Sequence, residues 1–271
     1  MGGAMRVRAP AVAGLFYPGD ADALRASVER SLAAVPAPPA DEPPPQAVIV
    51  PHAGYVYSGP VAAFAYRRVA RLADRVTRVV LLGPAHRVFL RGLAAPGADA
   101  FETPPGVVPL DRPLIDGLRD LPQVGVSDAA HAEEHSLEVQ LPFLQVVLRR
   151  FSLVPLVVGD ASAAEAREVI ERLVGGPETL LVVSSDLSHY HAYATAQQLD
   201  ADSCRAIEAL APERLGHDSA CGAVPVRGLL EAARRSGWVA ETLDLRNSGD
   251  TAGDRDRVVG YGAWSFHERA A

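Results

Sequence analysis

Histidine and aspartate side chains directly follow four apolar runs of this chain, and these residue types bind metals or transfer protons. They are His52 after residues 47–50, His86 after 78–83, Asp186 and His189 after 179–185, and Asp250 after 239–245. In an open α/β sheet, ligands bind in the crevice outside the carboxyl ends of the strands. One histidine after a strand is usually an ordinary loop residue, but His52 and His86 are each presented by a turn that contains a proline, and together they predict a shared site.

Two imidazoles and one carboxylate are the ligands of mononuclear iron(II) centres that keep positions open for substrate and oxygen. The same donors also suit catalytic zinc, which lowers the pKa of its bound water to about 7. We expect His52, His86 and Asp250 to bind the metal. His189 is suited to general acid/base catalysis, because histidine titrates near neutrality. Asp186 either belongs to this site or caps the helix predicted after it.

A further pair, His135 and Glu138, lies in "HAEEHSLEVQLPFL" (131–144). Residues three apart share one helix face. Glu138 could complete a capping box at the start of the helix, or the pair could line the pocket and orient a ligand. Both alternatives stay open from the sequence.

The runs that deliver these side chains are apolar throughout, which is typical of strands covered on both faces. Amphipathic segments alternate with them, and the clearest is 136–151, where leucines recur at helical spacing. This alternation predicts an α/β fold with a mostly parallel or mixed sheet and helices on both faces. We expect one domain over residues 1–271 with its core at about 7–266. The Pro-rich stretch 35–46 should be a surface connector, and 92–111 a hairpin or long loop.

Composition narrows the class of protein. The 271 residues are 48% hydrophobic and 22% charged, as in soluble globular proteins. A net charge of −7 without a basic run argues against nucleic acid or an anionic membrane as the main partner. The N-terminus lacks a signal-type apolar stretch, so we expect a cytoplasmic protein. Its two cysteines, Cys204 and Cys221, form no disulfide framework or CxxC motif, and each is expected to be a buried, inert thiol.

Seven motifs, taken together, resemble the Memo family. In chain order they are "AGLFYPGD", "VPHAGYVYSG", "LLGPAH", "EHSLEVQLPFL", "SSDLSHY", "ACGAVPV" and "NSGDTAGDRDRVVGYGA". The resemblance extends from about Val7 to Phe266. This family is the B component of the bacterial AmmeMemoRadiSam system and is similar in fold to class III extradiol dioxygenases. It implies a single α/β domain with a metal pocket at the strand ends.

The resemblance also implies roles for individual residues. By this resemblance, His52 and His86 are the metal ligands. His189 is the base, with Asp186 beside it, and the pocket walls are formed by His135, Phe16 and Tyr57. Animal members supply a cysteine as third ligand in the segment before the last strand. Here that segment, "NSGDTAGD", has none, so Asp250 is expected to replace it. A carboxylate would favour harder metals over copper(I).

Two classes of function follow from the resemblance. The first is an iron(II)-dependent, dioxygenase-like oxidoreductase acting on a small molecule. The second is a non-catalytic module that binds a metal, or a partner such as a peptide, in the same cleft, alongside radical SAM and AMMECR-type companion proteins. Zinc hydrolysis is a third, lesser alternative. An acid/base pair beside the ligands favours an enzyme, because a metal carrier has no need of one.

Overall fold

A computed structural model describes residues 5–269 of the chain. The strands are β1 (Val7–Arg8), β2 (Ala47–Val50), β3 (Arg78–Pro84), β4 (Leu93–Ala95), β5 (Ala100–Thr103), β6 (Gly106–Pro109), β7 (Val124–Val126), β8 (Ser152–Val158), β9 (Thr179–Ser184), β10 (His189–His191), β11 (Trp238–Asn247) and β12 (Val258–Glu268). The helices are α1 (Ala21–Ala33), α2 (Tyr55–Val69), α3 (Arg112–Asp116), α4 (Asp128–Ala132), α5 (His135–Glu138), α6 (Leu141–Val147), α7 (Ala163–Leu173), α8 (Tyr193–Glu208) and α9 (Ala223–Ser236). Short 3-10 turns occupy Ala70–Leu72, Pro212–Arg214, His217–Ser219 and Ser248–Asp250.

Nine strands form one mixed sheet in the order β10-β12-β2-β9-β3-β8-β4-β7, with β11 paired to β12. Its centre, β2-β9-β3-β8, is parallel, whereas β12 and β4 run antiparallel to their neighbours β2 and β8. The carboxyl ends of the four central strands therefore meet at one edge. This mixed sheet, flanked by helices, confirms the α/β prediction.

The apolar runs became strands because their side chains are buried on both faces. Every residue of β2 and β9 is buried, as is every residue of β3 and β8 after the first. Helices α1, α2 and α6 pack together in one group, while α7 and α9 pack together in another and α8 packs on β11 and β12. A single hydrophobic core includes side chains from the sheet and from both groups.

The amphipathic segment predicted at 136–151 is two short helices, α5 and α6, rather than one. Pro142 lies in the first turn of α6, a position where proline is favoured because its missing N–H would have no helical partner. The predicted leucine stripe is nevertheless core, since its four members, Leu137, Leu141, Leu144 and Leu148, are all buried.

Three other predictions concern the connecting segments. The stretch 35–46 contains no helix or strand, as expected of a connector. Within 92–111, β5 and β6 form the predicted hairpin, joined by β1 in a separate three-stranded sheet. Asp186 does not cap a helix, because β10 intervenes and α8 begins only at Tyr193.

No helix among residues 5–269 combines the length and apolar character needed to cross a bilayer.

Leu144→Ala should lower the free energy of unfolding by about 2–5 kcal/mol, because a fully buried leucine leaves a cavity that the core fills only partly. Urea unfolding followed by circular dichroism measures this change. Leu199→Ala is the matched control, since Leu199 of α8 is 39% exposed and its loss should cost about 0.5 kcal/mol or less. Equal losses in the two variants would contradict the assignment of the stripe to the core.

Candidate metal centre

Three histidines meet at the carboxyl edge of the sheet. His52 follows β2, His86 follows β3, and His135 is the first residue of α5, which packs against β3. Each offers one ligand nitrogen, and these atoms all lie within 4.8 Å of one another. The ring centroids are 5.2 Å apart for His52 and His86, 5.5 Å for His52 and His135, and 4.7 Å for His86 and His135. The structure thus brings together two predicted ligands and one predicted pocket residue.

A buried hydrogen-bond network fixes the tautomer of His52. Its Nδ1 lies 2.9 Å from Ser184 Oγ, whose own proton is donated to Ser136 O at 2.6 Å. Ser184 Oγ also accepts from Gln140 Nε2 at 2.8 Å. Because the hydroxyl proton is already committed, His52 Nδ1 must be the donor toward Ser184. The Nε2 lone pair of His52 is then available to coordinate a metal.

Glu134 performs the corresponding role for His86. The carboxylate accepts from the backbone N–H of His86 at 2.6 Å and from Nδ1 of the same residue at 2.9 Å. Burial alone would raise the pKa of Glu134, but these hydrogen bonds, the positive charge that His86 can carry and a third hydrogen bond from Ser136 N lower it to about 2. The ionised carboxylate therefore orients the imidazole and leaves Nε2 as its ligand atom.

His135 completes the cluster and is held by packing. The ring of Phe16 lies against it, with centroids 4.8 Å apart. Its Nδ1 is buried without a hydrogen-bond partner, and the nearest carboxylate oxygen, Glu134 Oε1, is 3.5 Å away. A buried nitrogen without a partner is costly unless a ligand satisfies it.

Burial keeps the imidazoles of His52 and His135 neutral. It lowers the pKa of His52 well below the usual value, aided by the neighbouring His86, and it lowers the pKa of His135 to about 4. Neutral imidazoles are the form that ligates metals. Three imidazole donors, two of them oriented through Nδ1, fit a divalent transition metal.

A cysteine borders the cluster. Cys221 Sγ lies 3.3 Å from His52 Nε2 and 3.3 Å from the backbone nitrogen of Asp186. Burial raises the pKa of this thiol to about 12. The expectation of a buried thiol is confirmed for Cys204, whose sulfur lies 3.1 Å from Thr242 Oγ1, whereas Cys221 is half-buried. Cys221, from the motif "ACGAVPV", is part of the candidate site.

Asp250 does not lie in this cluster, which corrects its prediction as third ligand. No oxygen of its carboxylate joins His52 and His86 in a group of ligand atoms that all lie within 4.8 Å of one another. Instead the carboxylate accepts from Tyr193 Oη at 2.5 Å and from the backbone N–H of Asn247 at 3.0 Å. Asp250 is exposed and closes a one-turn 3-10 helix after β11, a strand that β12 separates from β2.

The two predicted acid/base residues both follow the end of β9. Asp186 is buried and accepts from the backbone N–H of His52 at 2.7 Å. Burial raises the pKa of Asp186 to about 7. His189 begins β10, and its Nδ1 lies 2.8 Å from Leu187 O, which must accept, so Nε2 carries the lone pair. Burial lowers the pKa of His189.

Glu138 performs neither of its two predicted roles. The N-cap of α5 is Glu134, whose side chain accepts from Ser136 N. The Glu138 carboxylate is turned toward the N-terminal segment, where its four donors are Arg8 Nη1 at 2.5 Å, Ala11 N at 2.7 Å, Val12 N at 3.0 Å and Tyr17 Oη at 2.5 Å.

The predicted wall residues differ in their relation to the cluster. Phe16 contacts His135, as described above. Tyr57 lies in the first turn of α2 and is 39% exposed, and its role as a wall stays a prediction.

Sequence reasoning missed four residues that support or border the cluster: Glu134, Gln140, Ser184 and Cys221. Each had a sequence signal, since all four lie within the motifs quoted above. Ser184 ends an apolar strand, and Glu134 directly precedes His135. Position along the chain alone did not show which atom each of them would contact.

Comparisons with known proteins agree along nearly the whole chain. A sequence-family profile described as "Memo-like protein" matches residues 8–265. A MEMO1 family protein of Aquifex aeolicus is 38% identical over 268 residues, covering 95% of this chain and 98% of its own. One from Aeropyrum pernix is 39% identical over 284 residues, covering 96% and 99%.

A solved structure also matches the fold. It is that of an uncharacterised protein from Escherichia coli K12, with a TM-score of 0.54 and 13% identity, covering 81% of this chain and 98% of that chain. At this identity the likeness concerns the fold alone.

His52→Ala and His86→Ala should each lose bound metal, because each removes one of three converging imidazoles. Elemental analysis of protein purified with metal supplied measures the stoichiometry. Asp250→Ala is the control and should keep its metal, since the carboxylate lies outside the cluster. Full metal in His52→Ala together with an empty Asp250→Ala would restore the carboxylate as a ligand.

Glu134→Gln should weaken metal binding about 10- to 100-fold, the usual effect of losing the partner that orients a ligating histidine. An amide cannot accept at both former carboxylate oxygens, where three donors now converge. Competition against a chromophoric chelator measures the affinity. Glu133→Gln is the matched control, because Glu133 is the exposed neighbour. If the two variants bind the metal with equal affinity, Glu134 does not orient His86 for metal binding.

Proposed function

Since this chain belongs to the Memo family, we propose that it is an iron(II)-dependent, dioxygenase-like oxidoreductase that acts on a small molecule at its three-histidine centre. The observation that carries the proposal is the convergence of His52, His86 and His135, three imidazoles whose ligand atoms lie within 4.8 Å of one another. These three residues would hold the metal. When bound, iron(II) supplies redox chemistry and open positions for substrate and oxygen.

Solvent access supports a catalytic centre rather than a closed structural one. The His52 side chain is almost fully buried, whereas the His86 side chain is 28% exposed. A substrate can therefore approach the cluster from the His86 side. A catalytic metal site needs such an open face, while structural sites are closed.

His189 and Asp186 supply the proton transfers in this proposal. Nε2 of His189 is free of a protein partner among the described residues and bears the lone pair, so it can take a proton from a substrate hydroxyl. Asp186, whose pKa is raised to about 7, exists partly as a carboxylic acid at neutral pH. It can thus hold a proton beside the centre while it fixes the backbone of His52 through its 2.7 Å hydrogen bond.

Cys221 favours a second candidate function. A sulfur 3.3 Å from His52 Nε2 would add a soft ligand if metal binding removed its proton. Imidazole and thiolate together suit copper or zinc better than a carboxylate would. The alternative is therefore a copper- or zinc-binding module without turnover, in which the cleft carries metal or receives a partner.

Anaerobic purification with elemental analysis, followed by oxygen-uptake assays against catechols and small metabolites, separates the two functions. The oxidoreductase should retain about one iron per chain and consume oxygen only with a substrate present. Cys221→Ser should keep iron in the first case. Stoichiometric copper or zinc that is lost in Cys221→Ser, with no uptake, would establish the alternative.

His189→Ala should retain stoichiometric metal and a folded chain but lose turnover by about 10²–10⁴-fold, the range for removal of a general acid/base. Oxygen uptake and metal content, measured on the same preparation, test this. His191→Ala is the matched control two residues along β10, where the side chain is exposed. Loss of metal in His189→Ala would make this residue a ligand instead of a base.

A further inference from the structure

An apolar groove of about 320 Å³ adjoins the three-histidine centre on the side of β3 and β8. Most of its lining side chains are apolar, and the residues that matter here are Val88, Phe89, Leu90, Val158, Cys221 and Val224. Its volume is at the lower end of the range for small-molecule pockets. From its position and its walls, we infer that this groove binds an apolar substituent of the substrate, of about the size of one ring or a short branched alkyl group.

Continuity with the metal centre is the first support for this inference. The inner wall of the groove is Cys221, whose sulfur is 3.3 Å from His52 Nε2. Another wall is Pro84–Ala85, directly before His86. A molecule with its polar head at the histidines would place its apolar part in the groove by passing Cys221 or Ala85, which border both regions.

The outer lip of the groove exposes apolar surface that nothing in the described chain covers. Phe89 is 85% exposed and Val88 is 39% exposed. Both ends of their loop are anchored: Ala85 N donates to Val158 O at 2.9 Å, and Asp160 N donates to Leu90 O at 2.7 Å. Backbone hydrogen bonds therefore fix the lip at both ends. Exposed apolar residues at the rim of a concavity are typical of binding sites.

Charge restricts the chemical class of the occupant. Asp160 is the single charged residue in the lining of the groove, and it is exposed. A carboxylate or phosphate on the apolar part would meet this negative charge in an otherwise apolar trough, without a cation to pair with. The groove therefore suits a neutral hydrocarbon substituent, aromatic or aliphatic.

This inference rests on the proposed function only for the polar head, and two measurements separate them. Catechol, 4-methylcatechol, 4-isopropylcatechol and 4-tert-butylcatechol are titrated calorimetrically into anaerobic iron(II)-loaded protein. Affinity should rise about three- to fourfold per added carbon, the gain for burying one methylene-sized group. In parallel, cyclohexanol is added to metal-free protein, and methyl NMR shifts of Val88, Leu90, Val158 and Val224 are followed.

Val224→Trp fills the groove from α9 and should abolish both the gain with substituent size and the cyclohexanol shifts, while catechol itself binds as before. Val107→Trp is the matched control on an exposed valine of the β5–β6 hairpin, 48% exposed, and should behave as wild type. If Val224→Trp does not fold, Val88→Ser with Phe89→Ser weakens the outer lip instead.

Catechol binding without any gain from the substituents, or methyl shifts that persist in Val224→Trp, would overturn the groove and leave the proposed function intact. If cyclohexanol shifts the methyl signals but catechol does not bind, the groove is supported. Binding of the substrate's polar head at the histidines, which belongs to the proposed function, is then contradicted. The two failures are therefore distinguishable.

Discussion

The parallel pairing of β2, β9 and β3 decides where every other part of the site can lie. β9 stands between the other two, and Val50 at the end of β2 is paired with Ser184 at the end of β9. Each strand then delivers its functional side chain two residues beyond its last strand residue: His52, Asp186 and His86. Neighbouring strands are about 4.8 Å apart, so side chains released at the same edge are within reach of one metal or one substrate.

Putting imidazoles at a buried edge creates a hydrogen-bonding demand that the surrounding elements meet. His52 is only 2% exposed, and an unpaired N–H at such a position would be costly. Ser184 accepts it, and the orientation of Ser184 is fixed in turn by Gln140 and the carbonyl of Ser136. Gln140 also donates to the carbonyl of Pro51 and accepts from Tyr66. Because each buried partner is itself satisfied, the imidazole has one orientation and one tautomer.

The sequence was most informative where burial is complete. Uninterrupted apolar runs predicted the central strands to within a residue or two, because a strand covered on both faces leaves no other pattern. The same logic placed His52 and His86 together. Asp250 was predicted by the same rule and lies elsewhere, because β12 lies between β11 and β2, so Asp250 follows a strand at the side of the sheet although β11 runs in the same direction as β2. The order of the strands across the sheet, which the apolar pattern does not encode, separates Asp250 from His52 and His86.

Contacts between side chains were harder to predict from the sequence than the strands were. Glu134 and Glu138 are two acids on one short segment, yet one orients His86 while the other holds the N-terminal segment. Cys221 lies 169 residues from His52 along the chain and meets it through the turn before α9. Such contacts depend on how layers stack, and spacing along the sequence contains little information about stacking. A one-turn difference in α5 would exchange the surroundings of the two glutamates.

The buried pair of Arg8 and Glu138 connects this support to the wall of the pocket. Arg8 also donates to the carbonyls of His131 and Glu134, so one guanidinium joins β1 to the turn that carries the partner of His86. The same Glu138 carboxylate accepts from Tyr17, next to Phe16, whose ring lies on His135.

Burying this charged pair is costly in solvation, and losing either partner alone would leave the other charge uncompensated. The N-terminal segment and α5 are therefore constrained to move together. The position of His135 in the cluster thus depends on a charge pair whose own atoms contact none of the three imidazoles.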